Sequence, residues 1–267
     1  MSLPTIILVH GAWHTPANYA SFIAALQAQG FSVHCPLLPS CTKSLQPKTS
    51  LHDDINAVRE LASSLVAAGE RLLMVMHSAW LIPILILPTG SGSGPQPGAG
   101  GVIHLLYLCA YFLPPATSVW DIVLEAGLDR IFDQYVETAD DGSALTFPLD
   151  PGLMFFGGDE SVPQEEIDEA LTTLVRFPRS ALTTPVTEGA AFGLPRAVPR
   201  TYVATQKDYG VPRAYQDIMM RKAKEQGVNL KTHDFDTCHS VFISREAEIV
   251  KLAVEAARDG RNVPMSE

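Results

Sequence analysis

With 267 residues, 46% of them hydrophobic and 18% charged, the chain suits one large domain with a sub-domain set into it and is too apolar for global disorder. A formal net charge of −10 argues against nucleic acid or an anionic membrane as partner, since both call for a basic surface. Cys35, Cys41, Cys109 and Cys238 show no CxxC or other metal-type spacing, so they read as reduced thiols of a cytoplasmic protein with no bound metal.

The first apolar run, Thr5–Val9, reads as a strand and is too short for a signal peptide or a membrane span. It ends in His10-Gly11-Ala12-Trp13, and a helix over Ala17–Gln29, a strand over Ser32–Cys35 and a helix over Leu51–Ala68 follow. Strand Leu72–Met76 then runs straight into His77-Ser78-Ala79-Trp80, with a second apolar stretch directly after it. That layout is a buried strand turning sharply into a helix with a serine at the corner. Leu81–Pro88 is apolar, but Pro83 and its shortness exclude a span, and Thr89–Gly101 is a Gly/Ser/Pro loop. Gly101–Cys109 is the next strand.

Residues 121–198 mix helical stretches with Pro and Gly breaks and read as an inserted cap, leaving 1–120 and 199–267 as the core. Within the cap, Met154, Phe155, Phe156, Leu171, Leu174 and Phe177 read as interior, and Glu165, Glu166, Asp168 and Glu169 as a solvated helix face. Strand Thr201–Ala204, helix Val211–Gln226, strand Leu230–Asp234 and helix Arg245–Ala257 complete the chain. The last helix has Ile249, Leu252, Ala253 and Ala256 on one face. This alternation predicts an α/β fold: a mainly parallel central sheet flanked by helices.

A serine hydroxyl attacks only if a base takes its proton, and the base needs a carboxylate to orient it. The base candidate is His239, in the loop after strand Leu230–Asp234. Asp208, just past strand Thr201–Ala204, is the acid candidate; Asp234 and Asp236 compete but sit too near His239 in sequence to reach its far nitrogen. The backbone amides of Ala12 and Ala79 are the candidate oxyanion donors, with Gly11 letting the chain bend away from the first strand. His10 reads as a structural hydrogen-bonding residue and His14 as solvent-facing. Trp13, Trp80 and Trp120 are candidate substrate contacts, and each reads equally as packing. Taken singly, most serines in such a position merely cap helices.

These pieces, in the order Ser, acid, His, resemble an α/β-hydrolase of the plant methyl-esterase and hydroxynitrile-lyase branch, and more closely its small fungal members. The matching strings are Leu8-Val9-His10-Gly11-Ala12-Trp13, His77-Ser78, Tyr107 to Pro114, Tyr202 to Pro212 and Cys238-His239. The resemblance implies Ser78, Asp208 and His239 as catalytic triad and the amides of Ala12 and Ala79 as oxyanion hole. Three positions depart from it. Met76 and Trp80 replace the glycines two before and two after the serine, and Ser240 stands where hydroxynitrile lyases of the branch carry lysine.

The expected protein is therefore a cofactor-free enzyme acting on a small apolar ester, lactone or thioester by a Ser-His-Asp mechanism. One alternative is a lyase, cyclase or isomerase using His239 and Ser78 as acid and base, with a role in fungal secondary metabolism implied by resemblance. A catalytically silent ligand-binding protein is another. The expected partner is a small molecule; the oligomeric state stays open, a homodimer included.

Overall fold

The structure, a computed structural model, describes residues 3–41, 49–79, 100–186 and 198–260. The expected helix after Ser78, Trp80, Pro83 and the loop from Thr89 up to residue 99 lie outside them.

Six strands form the central sheet: β1 (Thr5–Val9), β2 (Val33–His34), β3 (Arg71–His77), β4 (Gly101–Leu108), β8 (Arg200–Thr205) and β9 (Lys231–Phe235). Their order is β2-β1-β3-β4-β8-β9, and every neighbouring pair is parallel. All six lie where the sequence pattern puts strands, with no end shifted by more than one residue.

Side chains along a strand point alternately to its two faces, so each strand divides its residues between two cores. Ile7, Val9, Met74, Met76, Leu105, Tyr107, Tyr202 and Ala204 face one way, against helices α2 (Leu51–Ala67) and α8 (Arg213–Glu225). Ile6, Leu8, Leu73, Val75, Leu106, Leu108 and Val203 face the other, against α1 (Ala20–Ala28) and α9 (Glu246–Asp259). The four inner strands are buried on both faces, which explains why they read as largely apolar runs, whereas the edge strands β2 and β9 are partly exposed. The expected helix from Ala17 is delivered in two pieces. Pro16–Tyr19 forms a 3₁₀ turn, and α1 begins only at Ala20.

The chain between β4 and β8 supplies α3 (Val119–Glu125), α4 (Asp129–Phe132), α5 (Pro151–Phe156), α6 (Gln164–Leu171) and α7 (Arg179–Thr183). It also forms a small antiparallel sheet of β5 (Val136–Thr138), β6 (Leu145–Pro148) and β7 (Phe177–Pro178). Helix α3 starts where it does because Ser118 and Asp121 cap each other: the Asp121 amide donates to Ser118 Oγ, and Ser118 N–H donates to the Asp121 carboxylate at 2.7 Å. The acidic face of α6 is exposed, as the charge run suggests.

Register decides where the site falls. Val9 pairs with Met76, Met76 with Tyr107 and Tyr107 with Tyr202, so the strands end nearly level. The residues just past those ends, Gly11-Ala12, Ser78, Cys109, Asp208 and His239, gather along one edge, where open parallel sheets bind ligands.

Candidate active site

Ser78 has a φ of +58°, a left-handed conformation that costs a non-glycine residue about 1–3 kcal/mol and persists only where the surroundings impose it. Its amide donates to Leu108 O at 3.1 Å, which carries pairing with β4 one residue past the end of β3. The turn is crowded from the side of β1. A Cβ on Gly11 would lie 2.7 Å from Ser78 Cβ and 3.2 Å from its Oγ, so residue 11 must lack a side chain. Close approach, not the bend expected from the sequence, is what demands glycine there. Two other non-glycine residues at strand ends, Trp13 (φ +62°) and Cys109 (φ +39°), share the left-handed backbone.

Asp208 is fixed before it meets the histidine. Its Oδ1 accepts from the amides of Gly210 (2.9 Å) and Val211 (2.6 Å), and its Oδ2 accepts from Thr205 Oγ1 at 2.6 Å. Gln216, fully buried on α8, backs this loop by binding Thr205 through both backbone and side chain and Val211 O at 2.7 Å. The carboxylate then receives His239 Nδ1–H at 2.9 Å. Because a carboxylate only accepts, this bond places a proton on Nδ1. His239 Nε2, buried, has no hydrogen-bond partner among the described residues, and it makes no bond to Ser78 Oγ. Such bonds commonly tighten only once substrate is bound. Gly210 makes room for the imidazole: a Cβ there would sit 3.0 Å from the ring. Asp234 and Asp236 are spent elsewhere, Asp234 on Arg213 and Gln206 and Asp236 on Lys207.

The two candidate oxyanion donors differ. The Ala12 amide has no acceptor among the described residues, whereas the Ala79 amide is turned back onto His77 O at 2.5 Å. His10 is structural: Nε2 accepts from the Leu38 amide at 3.1 Å and Nδ1 donates to Gly11 O. Burial lowers its pKa to about 4, so it stays neutral. His14 corrects the expectation of a solvent-facing residue. It is 3% exposed, its Nδ1 donates to Ala12 O at 2.8 Å, and its ring packs on Phe155.

A cavity of about 230 Å³ opens beside Ser78, just below the usual range of about 300–1,000 Å³ for ligand pockets. The sheet side contributes Ala12, Trp13, Ser78, Tyr111, Asp208, Tyr209, Gly210, Pro212 and Tyr215; the segment between β4 and β8 contributes Val119, Leu128, Ile131, Phe132, Tyr135, Val136, Met154 and Leu182. Trp13 is on the wall, and its indole N–H is anchored to Thr146 O at 3.1 Å. Trp120 is not on the wall. Its indole packs edge-on against Phe132 under the Arg179 guanidinium, which draws it into the interior of that segment. Trp80 lies outside the described residues.

Nδ1 or Nε2 of His77 and His239 and the Cys109 sulfur fall within 4.8 Å of one another, a spacing that suits a metal ion. All three side chains are already committed: His77 to Tyr19 and the His239 carbonyl, His239 to Asp208, and the Cys109 thiol to the His239 carbonyl at 3.2 Å. Holding a cation would cost His77 its bond to Tyr19 or to the His239 carbonyl, because both of its ring nitrogens are in use.

The loop carrying His239 is also held by the segment between β4 and β8, through bonds no sequence signal marks. Asp159 accepts from Thr237 Oγ1 and from the Cys238 amide (3.3 Å), and Phe155 O accepts from the Ser240 amide at 3.0 Å. Burial alone would raise the Asp159 pKa, but hydrogen bonds from Ser161 and Thr237 and the nearby Arg245 outweigh it and hold it at about 2. A carboxyl depressed in the folded state stabilises it above its ordinary pKa, and that contribution disappears as pH falls through the folded value. Asp159→Ala should therefore cost about 1–3 kcal/mol at neutral pH, the usual consequence of orphaning buried donors. The gap in Tm from wild type should close as pH drops from about 4 towards about 2. Thermal melts across that range check it, and a gap independent of pH would refute the assignment.

The chain belongs to the alpha/beta hydrolase family, whose sequence pattern it matches over residues 6–252. The sheet order and the serine turn described above are the structural counterpart of that match. Among curated relatives, the alpha/beta hydrolase nvfD of Aspergillus novofumigatus is 26% identical over 196 residues, covering 73% of this chain and 76% of that protein. Among solved structures, a pyrethroid hydrolase from Sphingobium faniae superposes with a TM-score of 0.66 at 20% identity, covering 96% of this chain and 98% of that one. Tomato methylketone synthase I, as a variant complexed with beta-ketoheptanoate, superposes with a TM-score of 0.72 at 13% identity, covering 97% and 100%. At such identities these likenesses speak for the fold alone. No helix among the described residues is long and apolar enough to cross a membrane.

Proposed function

We propose that the protein is a cofactor-free serine hydrolase that cleaves a small, neutral, largely apolar ester, lactone or thioester in the cavity between the sheet and the 119–183 segment, which serves as its cap. The observation that carries this reading is the state of His239. Asp208 holds a proton on Nδ1, leaving Nε2 to accept one, while Asp208 itself and Ser78, which sits in a strained turn, line the cavity. His239 Nε2 takes the Ser78 proton as Oγ bonds to the carbonyl carbon, and the Ala12 amide meets the developing oxyanion. The imidazolium then protonates the leaving alcohol or thiol. Water, deprotonated by His239, releases the acid and frees Ser78. A neutral substrate follows from the wall itself: among its described residues the only charged side chain is Asp208, already paired with His239.

Stoichiometric labelling by a fluorophosphonate, seen as intact mass and abolished in Ser78→Ala, is the expected result. A folded wild-type protein that stays unlabelled would rule out the serine route.

One observation favours a second reading, proton transfer without hydrolysis. The Ala79 amide is committed to His77 O, so half of the expected oxyanion hole is turned away, and the Ser78–His239 bond is not made. On this reading Ser78→Ala retains turnover of the true substrate while His239→Ala does not. Equal loss in both variants excludes it.

A further inference from the structure

Tyr19, His77 and Gly11 share a hydrogen-bond chain that ends on His239, and its proton positions are determined. His77 Nε2 lies 3.0 Å from the His239 carbonyl oxygen, which can only accept, so Nε2 carries the proton. Burial among His239, His14 and His10 pushes the His77 pKa well below its ordinary value, so the ring has one proton and Nδ1 is an acceptor. Tyr19 Oη, 2.6 Å from Nδ1, must then donate to it, and it accepts in turn from the Gly11 amide at 3.2 Å. The direction runs from Gly11 N–H to Tyr19 O–H to His77 Nδ1, then from His77 Nε2–H to the His239 carbonyl.

We propose that Tyr19 and His77 are positioning residues that set the oxyanion loop and the base loop relative to the nucleophile, an inference that rests on the hydrolase reading of Ser78. Each end of the chain lies next to a group the reaction needs. Gly11 precedes the Ala12 amide, His77 precedes Ser78, and the last acceptor is the backbone of the base itself. Packing explains the Tyr19 ring, which stacks on Phe242 with centroids 4.3 Å apart and an interplanar angle of 22°. It does not explain the hydroxyl. A buried phenol with no water to bind is costly unless paired, and phenylalanine would stack equally well. Both hydroxyl partners belong to segments that carry the reaction. The His77 ring also lies 4.7 Å from the His239 ring, centroid to centroid, so a tilt of one is transmitted to the other.

The test compares wild type with Tyr19→Phe, His77→Gln and His77→Leu on an ester the wild type turns over, with active sites counted by fluorophosphonate stoichiometry. Tyr19→Phe keeps the Phe242 stack and should lower kcat per labelled site about tenfold, with KM within about twofold, as expected when reacting groups shift by a fraction of an ångström. Glutamine can accept from Tyr19 and donate to the His239 carbonyl, so His77→Gln should stay closer to wild type than His77→Leu. Wild-type kcat per labelled site in Tyr19→Phe, with or without a smaller labelled fraction, would reduce Tyr19 to packing and overturn the proposal. If wild type is neither labelled nor active, the hydrolase reading fails, and nitrogen-15 histidine spectra then decide the relay by itself. A neutral Nε2–H His77 whose loss of Tyr19 shifts the His239 resonances supports it; unmoved His239 resonances overturn it.

Discussion

Asp208→Asn is expected to lower kcat on the order of 10⁴-fold with little change in KM, the size of effect that follows from locking a catalytic imidazole in the wrong tautomer. The substitution keeps the shape of the side chain, so its effect is one of proton placement. Oδ1 faces the amides of Gly210 and Val211, both donors, and an asparagine must put its oxygen there. Its NH₂ group is then aimed at His239 Nδ1. That nitrogen must become an acceptor, and the ring proton moves to Nε2, the atom that receives the serine proton on the hydrolase reading. Thr205 can rotate its hydroxyl to accept, and Gln216 keeps its bonds to Thr205 and Val211, so the loop remains folded. Steady-state kinetics on the same ester, beside a thermal melt, check both halves. A variant within tenfold of wild type would mean that Asp208 does not orient the base.

The second large effect is expected at Gly11. Gly11→Ala places a methyl carbon 2.7 Å from Ser78 Cβ and 3.2 Å from the His77 carbonyl oxygen. Both obstacles are backbone or directly attached to it, so neither can swing aside, and β1 and β3 must part. Overpacking of this kind costs about 1–3 kcal/mol. For a chain of this size each kcal/mol lowers Tm by about 2–4 °C. The same displacement moves the Ala12 amide away from Ser78 and should reduce turnover on the order of 10²-fold. Gly210→Ala is the informative contrast. Its Cβ would meet the His239 ring at 3.0 Å, a side chain that can tilt, so activity should suffer more than stability. Labelling of Gly11→Ala at the wild-type rate would show that the strands part without disturbing the serine.

The four inner strands, β1, β3, β4 and β8, were legible because each is buried on both faces and therefore appears as a largely apolar run bounded by polar or glycine-rich turns. The positions of Ser78, Asp208 and His239 were legible for a related reason. Each follows the end of a strand, and a parallel sheet brings those ends to one edge. What could not be read depends on contacts between distant segments. His14 has the sequence surroundings of an exposed loop residue, yet Phe155 arrives from the segment between β4 and β8 to bury it. Trp120 read equally as substrate contact or packing, and its packing on Phe132 beneath Arg179 comes from residues no local pattern links to it. Tyr19 lies 58 residues from His77, and His77 lies 162 from the carbonyl it binds, so no local pattern links them. Asp159 is likewise 78 residues from Thr237.

That last contact has a consequence for how molecules pass in and out. The segment between β4 and β8 that lines the cavity also grips the histidine loop, through Asp159 and the Phe155 carbonyl. If that segment is the cap of a serine hydrolase, raising it as a hinged body would strain the Asp208–His239 pair, and traffic would run instead through a doorway: Tyr209 (42% exposed) and Ile131 (37% exposed) are wall residues that also reach solvent. Their side chains can rotate on the fast timescale of exposed residues without any movement of the segment. On that reading selectivity is imposed at the threshold by the width those two side chains leave, before any ligand meets the serine.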